Sequence, residues 1–254
     1  MSKVIVLTNQ KGGVGKTTTA SALVGGLKEK GFKVLAIDLD PQGNLGFSLD
    51  ADIENCPTVY DLLKGSESIE KVIQHKNGVD ILPSNILLSG AELEFNKTGR
   101  EFLLKKGIAP IVKYYDYVVV DTPPALNILT VNAYTAGDIL IIPMIPEILS
   151  LLGISQLRET IELVKNIYNP KIEIKGILLN KYDKRRILTK DVEEMAQMIA
   201  KELNSKVFKT KIRTSVAIAE APAHGMSIFE YSPNSNSARD FRKFIDELIF
   251  EGVN

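Results

Sequence analysis

Short, continuous apolar runs alternate with longer amphipathic stretches along the chain. Val4 to Leu7, Val34 to Ile37, Val79 to Leu82, Val118 to Val120, Ile139 to Ile142 and Ile174 to Leu179 are rich in β-branched residues and bounded by Gly, Asp, Asn or Pro. Runs that are apolar at successive positions, rather than at alternate ones, predict strands buried on both faces, which suits a parallel sheet. Between them the pattern predicts helices over Thr17 to Lys30, Thr58 to Lys64, Gly90 to Asn96, Glu101 to Tyr114, Thr130 to Ala136, Ser150 to Tyr168, Thr189 to Asn204 and Ser237 to Phe250. Gly107 and Pro110 disturb the fourth of these. The alternation predicts an α/β fold, a doubly wound and mostly parallel sheet with helices on both faces. No linker, repeat or low-complexity segment divides the chain, so residues 1–254 read as a single domain.

Composition narrows the function classes. Hydrophobic residues make up 44% and charged residues 24%, as in a soluble globular protein. Lys and Arg number 31 and Asp and Glu 31, so no whole-molecule field draws the chain to DNA or membrane. Any such attraction has to come from local clustering. The one cysteine, Cys56, excludes a disulfide framework and a multi-cysteine metal site within one chain. The opening MSKVIVLTNQ lacks a signal-peptide core. No apolar stretch reaches the roughly 18 residues that span a bilayer. A cytoplasmic protein is expected.

The first apolar run leads into Asn9, Gln10, Lys11, Gly12, Gly13, Val14, Gly15, Lys16, Thr17 and Thr18, and a predicted helix follows. That strand–loop–helix setting is what a phosphate-binding loop requires. Glycines let the backbone turn its N–H groups inward, and the helix N-terminus adds its dipole. Lys16 is placed to reach β- and γ-phosphates and the Thr17 hydroxyl to ligate Mg²⁺. Gln10 stands where the usual pattern has glycine, and Lys11 follows it as an extra lysine at the loop's mouth. Such a lysine is either a surface charge or a cation lent to a second subunit's nucleotide.

Acids at the ends of other predicted strands complete the set. Asp38 and Asp40, in Asp-Leu-Asp-Pro-Gln-Gly-Asn, are two apart and so point to one side of an extended chain. One can hold a Mg²⁺-bound water and the other can orient the attacking water. Asp121 closes the run Tyr117 to Val120, as the second acidic element of a phosphate-loop NTPase does. Asn180 ends the last strand with an amide able to pair with both a donor and an acceptor on an adenine edge.

The string Lys-Gly-Gly-Val-Gly-Lys-Thr-Thr resembles the deviant Walker A motif of the ParA/MinD family of P-loop ATPases, which are SIMIBI-like NTPases. Asp38 to Asn44 and Val118 to Pro124 are similar to that family's other motifs, and the likeness runs from Val4 to about Leu248. It implies ATP and Mg²⁺ as ligands and an ATP-sandwich homodimer. In that arrangement Lys11 reaches the partner's phosphates, Asp40 positions water, and Asp38 and Asp121 serve the metal. Gly12 to Thr18 cradle the phosphates, Asn180 meets the base, and Glu147 lies either in a stretch similar to a dimer interface of that family or at a solvated helix start. Two branches of the family remain open by partner. ParA and Soj proteins bind DNA non-specifically and respond to a ParB-like protein, whereas MinD-like members bind membrane through a C-terminal amphipathic helix.

The C-terminus separates these branches. Phe241, Phe244, Ile245, Leu248 and Ile249 share one face of the last predicted helix, and the opposite face mixes acids with bases. A membrane-lying helix wants a basic polar face, so core packing is expected instead and no membrane partner. Residues 165–215 hold 13 Lys and Arg against 6 Asp and Glu. Lys184, Arg185 and Arg186 form one cluster, and Lys209, Lys211 and Arg213 a second. Together they form a candidate phosphate-binding face for non-specific DNA. An arginine common in ParA and Soj proteins is replaced by Ala217, which leaves Arg213 as a candidate substitute. His224 reads as a turn residue. These features predict a DNA-partitioning ATPase that is nucleoid-associated when ATP-bound.

Overall fold

The computed structural model describes residues 2–146, 154–183 and 188–250. Among these, seven strands form one sheet: β1 (Lys3–Leu7), β2 (Val34–Asp38), β3 (Gln74–Lys76), β4 (Val79–Leu82), β5 (Tyr117–Asp121), β6 (Ile139–Met144) and β7 (Glu173–Leu179). Their order is β3-β4-β2-β5-β1-β6-β7, parallel throughout except for the β3–β4 pair. The helices are α1 (Lys16–Glu29), α2 (Asn44–Ser48), α3 (Val59–Lys64), α4 (Ile69–Val72), α5 (Ala91–Glu94), α6 (Leu103–Ile108), α7 (Ile128–Ala136), α8 (Ile154–Ile167), α9 (Leu188–Glu202), α10 (Val216–Glu220), α11 (Ile228–Tyr231) and α12 (Asn236–Phe250).

The strands are apolar at every position because both faces of the sheet are covered. Val4, Val6, Val118 and Val120 point into one core, shared with side chains of α3, α7, α8 and α9. Ile5, Leu7 and Val119 point into the other, shared with α1, α11 and α12. Phe241, Phe244, Ile245 and Leu248 of α12 are buried in that second core, so the apolar stripe of the last helix faces the protein as expected. Gly26 of α1 allows this contact. A Cβ there would lie 2.1 Å from Ile245 Cδ1. No helix among the described residues is long and apolar enough to cross a membrane.

Every expected strand is present. The expected helix from Glu101 to Tyr114 is broken into a 3₁₀ turn at Arg100–Phe102, α6, and a second 3₁₀ turn at Val112–Tyr114. Pro110 has no N–H to continue the ladder, and Gly107 packs against Leu62. The expected helix over Gly90 to Asn96 shrinks to α5, preceded by a 3₁₀ turn at Ile86–Gly90. The early part of the expected Ser150 to Tyr168 helix, residues 150–153, lies outside the described residues.

β1 lies inside the sheet, fifth of the seven strands, with β5 on one side and β6 on the other. The chain goes from β1 toward β2 in one direction and later toward β6 and β7 in the other. Such a reversal opens a crevice beyond the carboxyl ends of the central strands, where α/β proteins bind their ligands.

Candidate functional site

The glycine-rich loop fills that crevice. Its entry is fixed by Asn9, whose Nδ2 donates to the Pro143 carbonyl at 2.8 Å and whose Oδ1 accepts the Lys11 N–H at 2.9 Å. Gly13 and Gly15 hold φ of +73° and +91°, which a side chain would strain. Asn180, at the end of β7, supports the loop from below. Its Nδ2 donates to the Val14 carbonyl at 3.0 Å and to the Thr19 hydroxyl at 3.1 Å. Thr19 in turn donates to the Gly15 carbonyl at 2.7 Å. A Cβ on Gly15 would stand 2.6 Å from Asn180 Nδ2, so the glycine is required by packing as well as by φ.

Lys16 opens α1 and is 7% exposed. Its Nζ donates to the Lys11 carbonyl at 3.3 Å. Burial lowers its pKa, opposed by the charges of Asp121 and Asp40. A buried ammonium with few acceptors has a strong electrostatic preference for an incoming anion. Beside it the Thr17 hydroxyl donates to Asp121 Oδ2 at 2.6 Å. Asp121 is fully buried and its Oδ1 has no hydrogen-bond partner. Burial raises its pKa well above the usual carboxylate range, with the nearby Asp38 adding to the rise. A hydroxyl and a desolvated carboxylate oxygen are the hard donors that Mg²⁺ and its bound waters take. The orphaned Oδ1 therefore fits that cation. Thr122, next in the chain, donates to the Leu7 carbonyl at 2.8 Å and locks the end of β5 to β1.

The two aspartates after β2 have different settings. Asp38 is completely buried, with Oδ1 accepting the Asp40 N–H and Oδ2 the N–H groups of Leu45 and Gly46. Burial pushes its pKa up to about 7 against those hydrogen bonds. Both Asp38 oxygens are thus engaged by backbone N–H groups, and this carboxylate anchors the turn and the start of α2. Asp40 is partly exposed, and its Oδ1 accepts the Gln42 N–H at 3.0 Å. Ser84 donates to the Asp40 carbonyl at 2.6 Å, which fixes the turn to the end of β4. A cleft of about 330 Å³ runs beside Thr17 and Thr18, bounded by Asn44 and Phe47 of α2, Ile218 of α10, and Met226.

The structure gathers Lys11, Gly12 to Thr18, Asp38, Asp40, Asp121 and Asn180 around one crevice. It narrows one reading. Both N–H groups of the Asn180 amide are taken by the loop, so only its buried, unpartnered Oδ1 is left to meet a base. The basic face is corrected further. Arg213 forms a two-pronged ion pair with Asp240, Nε to Oδ2 at 2.7 Å and Nη2 to Oδ1 at 2.6 Å. Lys211 is paired with Glu193 and lies over the Tyr182 ring. Neither is a free cation for DNA. Lys184, Arg185, Arg186 and Glu147 lie outside the described residues. His224 ends a 3₁₀ turn and stacks on Tyr231. Asn9, Thr19, Ser84 and Thr122 were not picked out from the sequence. Only Asn9 carried a signal, as a polar residue between the strand and the glycines.

Comparison with known proteins agrees with this geometry. Residues 2–174 match the AAA domain family. The sporulation initiation inhibitor protein Soj of Bacillus subtilis (strain 168) is 40% identical over 258 residues, covering 99% of this chain and 100% of the relative. The chromosome partitioning protein ParA of Caulobacter vibrioides is 37% identical over 253 residues, covering 97% and 94%. A crystal structure of cobyrinic acid a,c-diamide synthase from Mycobacterium smegmatis, with an ATP analogue and magnesium bound, superposes with a TM-score of 0.87 at 33% identity. That likeness covers 100% of this chain and 97% of the other.

Proposed function

The chain belongs to the AAA-domain P-loop ATPases that include the Soj and ParA partitioning proteins, and from that premise we propose that it is an ATP-switched DNA-partitioning ATPase. It hydrolyses ATP with Mg²⁺. In the proposed cycle ATP binding joins two copies into a sandwich that binds DNA non-specifically. Hydrolysis, stimulated by a ParB-like partner, separates them. Residues 1–254 act as one ATPase domain that associates with the nucleoid while ATP is bound.

The loop residues Gly12 to Thr18 present N–H groups and the α1 dipole to the phosphates. Lys16 leaves the Lys11 carbonyl for the β- and γ-phosphates, a move favoured because a buried ammonium gains a formal anion in place of a neutral oxygen. Thr17 and Asp121 would hold the metal, with Asp38 as a more distant anchor. Bound Mg²⁺ supplies neutralisation of the charge that develops on the transferred phosphoryl group. Asp40, the partly exposed carboxylate of the pair, orients the attacking water. Lys11 reaches the triphosphate of the partner. Asn180 Oδ1 accepts from the exocyclic amine of adenine.

The observation that carries this reading is the second lysine at the loop's mouth. Lys16 already serves the loop's own phosphates, and the backbone of Lys11 is turned by Asn9 Oδ1. A second positive side chain at that position supports a role across a dimer interface. Light scattering with a non-hydrolysable ATP analogue tests this: a dimer is expected, and single chains at every concentration would overturn it. The core packing of α12 favours DNA over membrane as the surface bound. The synthase name of the Mycobacterium smegmatis neighbour favours a second reading, ATP-driven amidation of a small molecule. That reading requires turnover to depend on an acceptor substrate and an amide donor. The partitioning reading requires slow basal turnover that rises with DNA and a partner protein.

A further inference from the structure

Tyr134 of α7 is fully buried in the aliphatic core, yet it carries a hydroxyl there. That hydroxyl lies 2.6 Å from the buried Thr8 hydroxyl, in a hydrogen bond that either group can donate. Among the described residues neither hydroxyl has another partner. Burial raises the Tyr134 pKa above the ordinary phenol range, against the bond from Thr8, so the phenol stays neutral. The two ends of this bond belong to the two halves of the nucleotide site. Thr8 follows β1 and precedes Asn9, whose side chain sets the entry of the glycine-rich loop. α7 follows the turn after Asp121, and Thr130 ties it to that turn by donating to the Ala125 carbonyl at 2.6 Å. Asn127 caps the same end, accepting the Leu129 and Thr130 N–H groups. At the far end Asn169 Nδ2 donates to the carbonyls of Tyr134 and Gly137, at 2.8 and 2.7 Å. α7 is thus held at both ends, and the Tyr134 side chain reaches from it to the start of the loop.

We propose that Tyr134 and Thr8 are positioning residues for ATP hydrolysis, their bond tying the loop entry to α7 and so setting, through Asn9, where the Lys11 backbone stands. Asn9 Oδ1 holds the Lys11 N–H, and the Lys11 carbonyl receives Lys16 Nζ at 3.3 Å. A shift of Thr8 therefore displaces the reference point of both lysines. The Thr8 N–H, donating to the Ile141 carbonyl at 3.0 Å, fixes the residue within the sheet. The hydroxyl pair fixes it in the other direction, toward α7. An apolar pair at these positions would pack without a desolvation cost but would not set a direction or a separation as a hydrogen bond does. The phosphate cradle has separate support, from Asn180 under the Val14 carbonyl and Thr19 under the Gly15 carbonyl. Loss of the hydroxyl pair is thus a way to slow turnover while the grip on nucleotide is kept. Only the ATPase activity enters this proposal, and neither DNA nor a partner protein does.

The test is single-turnover hydrolysis of labelled ATP by an excess of the full chain with Mg²⁺, beside titration with a fluorescent ATP analogue and thermal melting. Tyr134→Phe strands the Thr8 hydroxyl in the core and is expected to lower both the melting temperature and the rate. Tyr134→Phe/Thr8→Val replaces both partners by apolar groups of similar shape, which is nearly neutral for folding. This double variant is expected to melt close to wild type and to bind the analogue as wild type does. Its hydrolysis is expected to be roughly 10-fold slower, the scale of a sub-ångström misplacement of reacting groups. Thr8→Ser keeps the hydroxyl and is expected to hydrolyse ATP at close to the wild-type rate. A double variant that regains the rate along with the melting temperature would show that the pair only stabilises the fold, and the proposal fails. It fails as well if Thr8→Ser is as slow as the double variant, because the methyl and not the hydroxyl would then matter. A wild-type rate in Tyr134→Phe would overturn it too.

Discussion

Thr17 and Asp121 come from different parts of the chain, yet the hydroxyl donates to the carboxylate at 2.6 Å. That bond leaves Asp121 Oδ1 buried and unpartnered, a state that costs free energy until a donor arrives. Asn180 is in the same condition, with its amide N–H groups engaged and its Oδ1 orphaned. The site is thus poised for groups that bring donors. Replacing Lys16 by Ala removes the buried ammonium and is expected to abolish nucleotide binding, read by titration with a fluorescent ATP analogue. Asn180→Ala acts differently. It frees the Val14 carbonyl and the Thr19 hydroxyl together, and a loss of about 1–3 kcal/mol in stability is expected from denaturant unfolding of the nucleotide-free protein. A wild-type unfolding midpoint would show that the amide has no supporting role. The spacing of Gly15, Lys16 and Thr17 made the loop legible, because phosphate chemistry demands those residue types in a local run. Asn180 below Gly15 was legible only as a polar strand end, since its partners lie 166 and 161 residues away.

At the scale of elements, the buried strands were readable because being covered on both faces forces apolar side chains at every position. β3 was not, since Gln74–Lys76 is a polar edge strand with no apolar signature. Its one cue is local: Asn77 and Gly78 both have positive φ, the two-residue hairpin turn that Asn-Gly favours. The short helices α2, α10 and α11 were also missed, because a helix of one turn shows no periodicity. The last helix was read well, since its apolar face recurs over four turns. Phe244 of α12 meets Phe208 edge-on with ring centroids 4.9 Å apart, and both are fully buried. Phe244→Ala is therefore expected to cost about 3–5 kcal/mol in urea unfolding. Phe250, 66% exposed on the same helix, is expected to cost less than about 0.5 kcal/mol on truncation. Equal effects from the two would contradict the packing of this helix against the core.

For the whole molecule, the consequential question is what a second copy supplies. Lys16 serves the loop it belongs to, whereas Lys11 is proposed to serve the loop opposite, so the two lysines fail in different ways when removed. Lys11→Ala is expected to bind ATP and not turn it over. Asp40→Ala is expected to persist as an ATP-bound dimer in light scattering, because the sandwich forms and its water is not oriented. A lysine acting within its own subunit and one acting across the interface are separated by mixing. Lys11→Ala chains keep a competent phosphate loop but offer no cation to the partner, and Lys16→Ala chains keep the cation but hold no nucleotide. In a mixed dimer the nucleotide on the Lys11→Ala chain faces the intact Lys11 of the Lys16→Ala chain, so one site of the two is complete. Equal mixing of a two-fold dimer makes half the dimers hybrid, which limits recovery to about a quarter of wild-type turnover. Each variant alone is expected to be inactive, and the mixture to hydrolyse ATP in proportion to the hybrid fraction. A mixture as inactive as its components would place Lys11 in its own subunit's chemistry and remove the reason for two chains to close around the nucleotide.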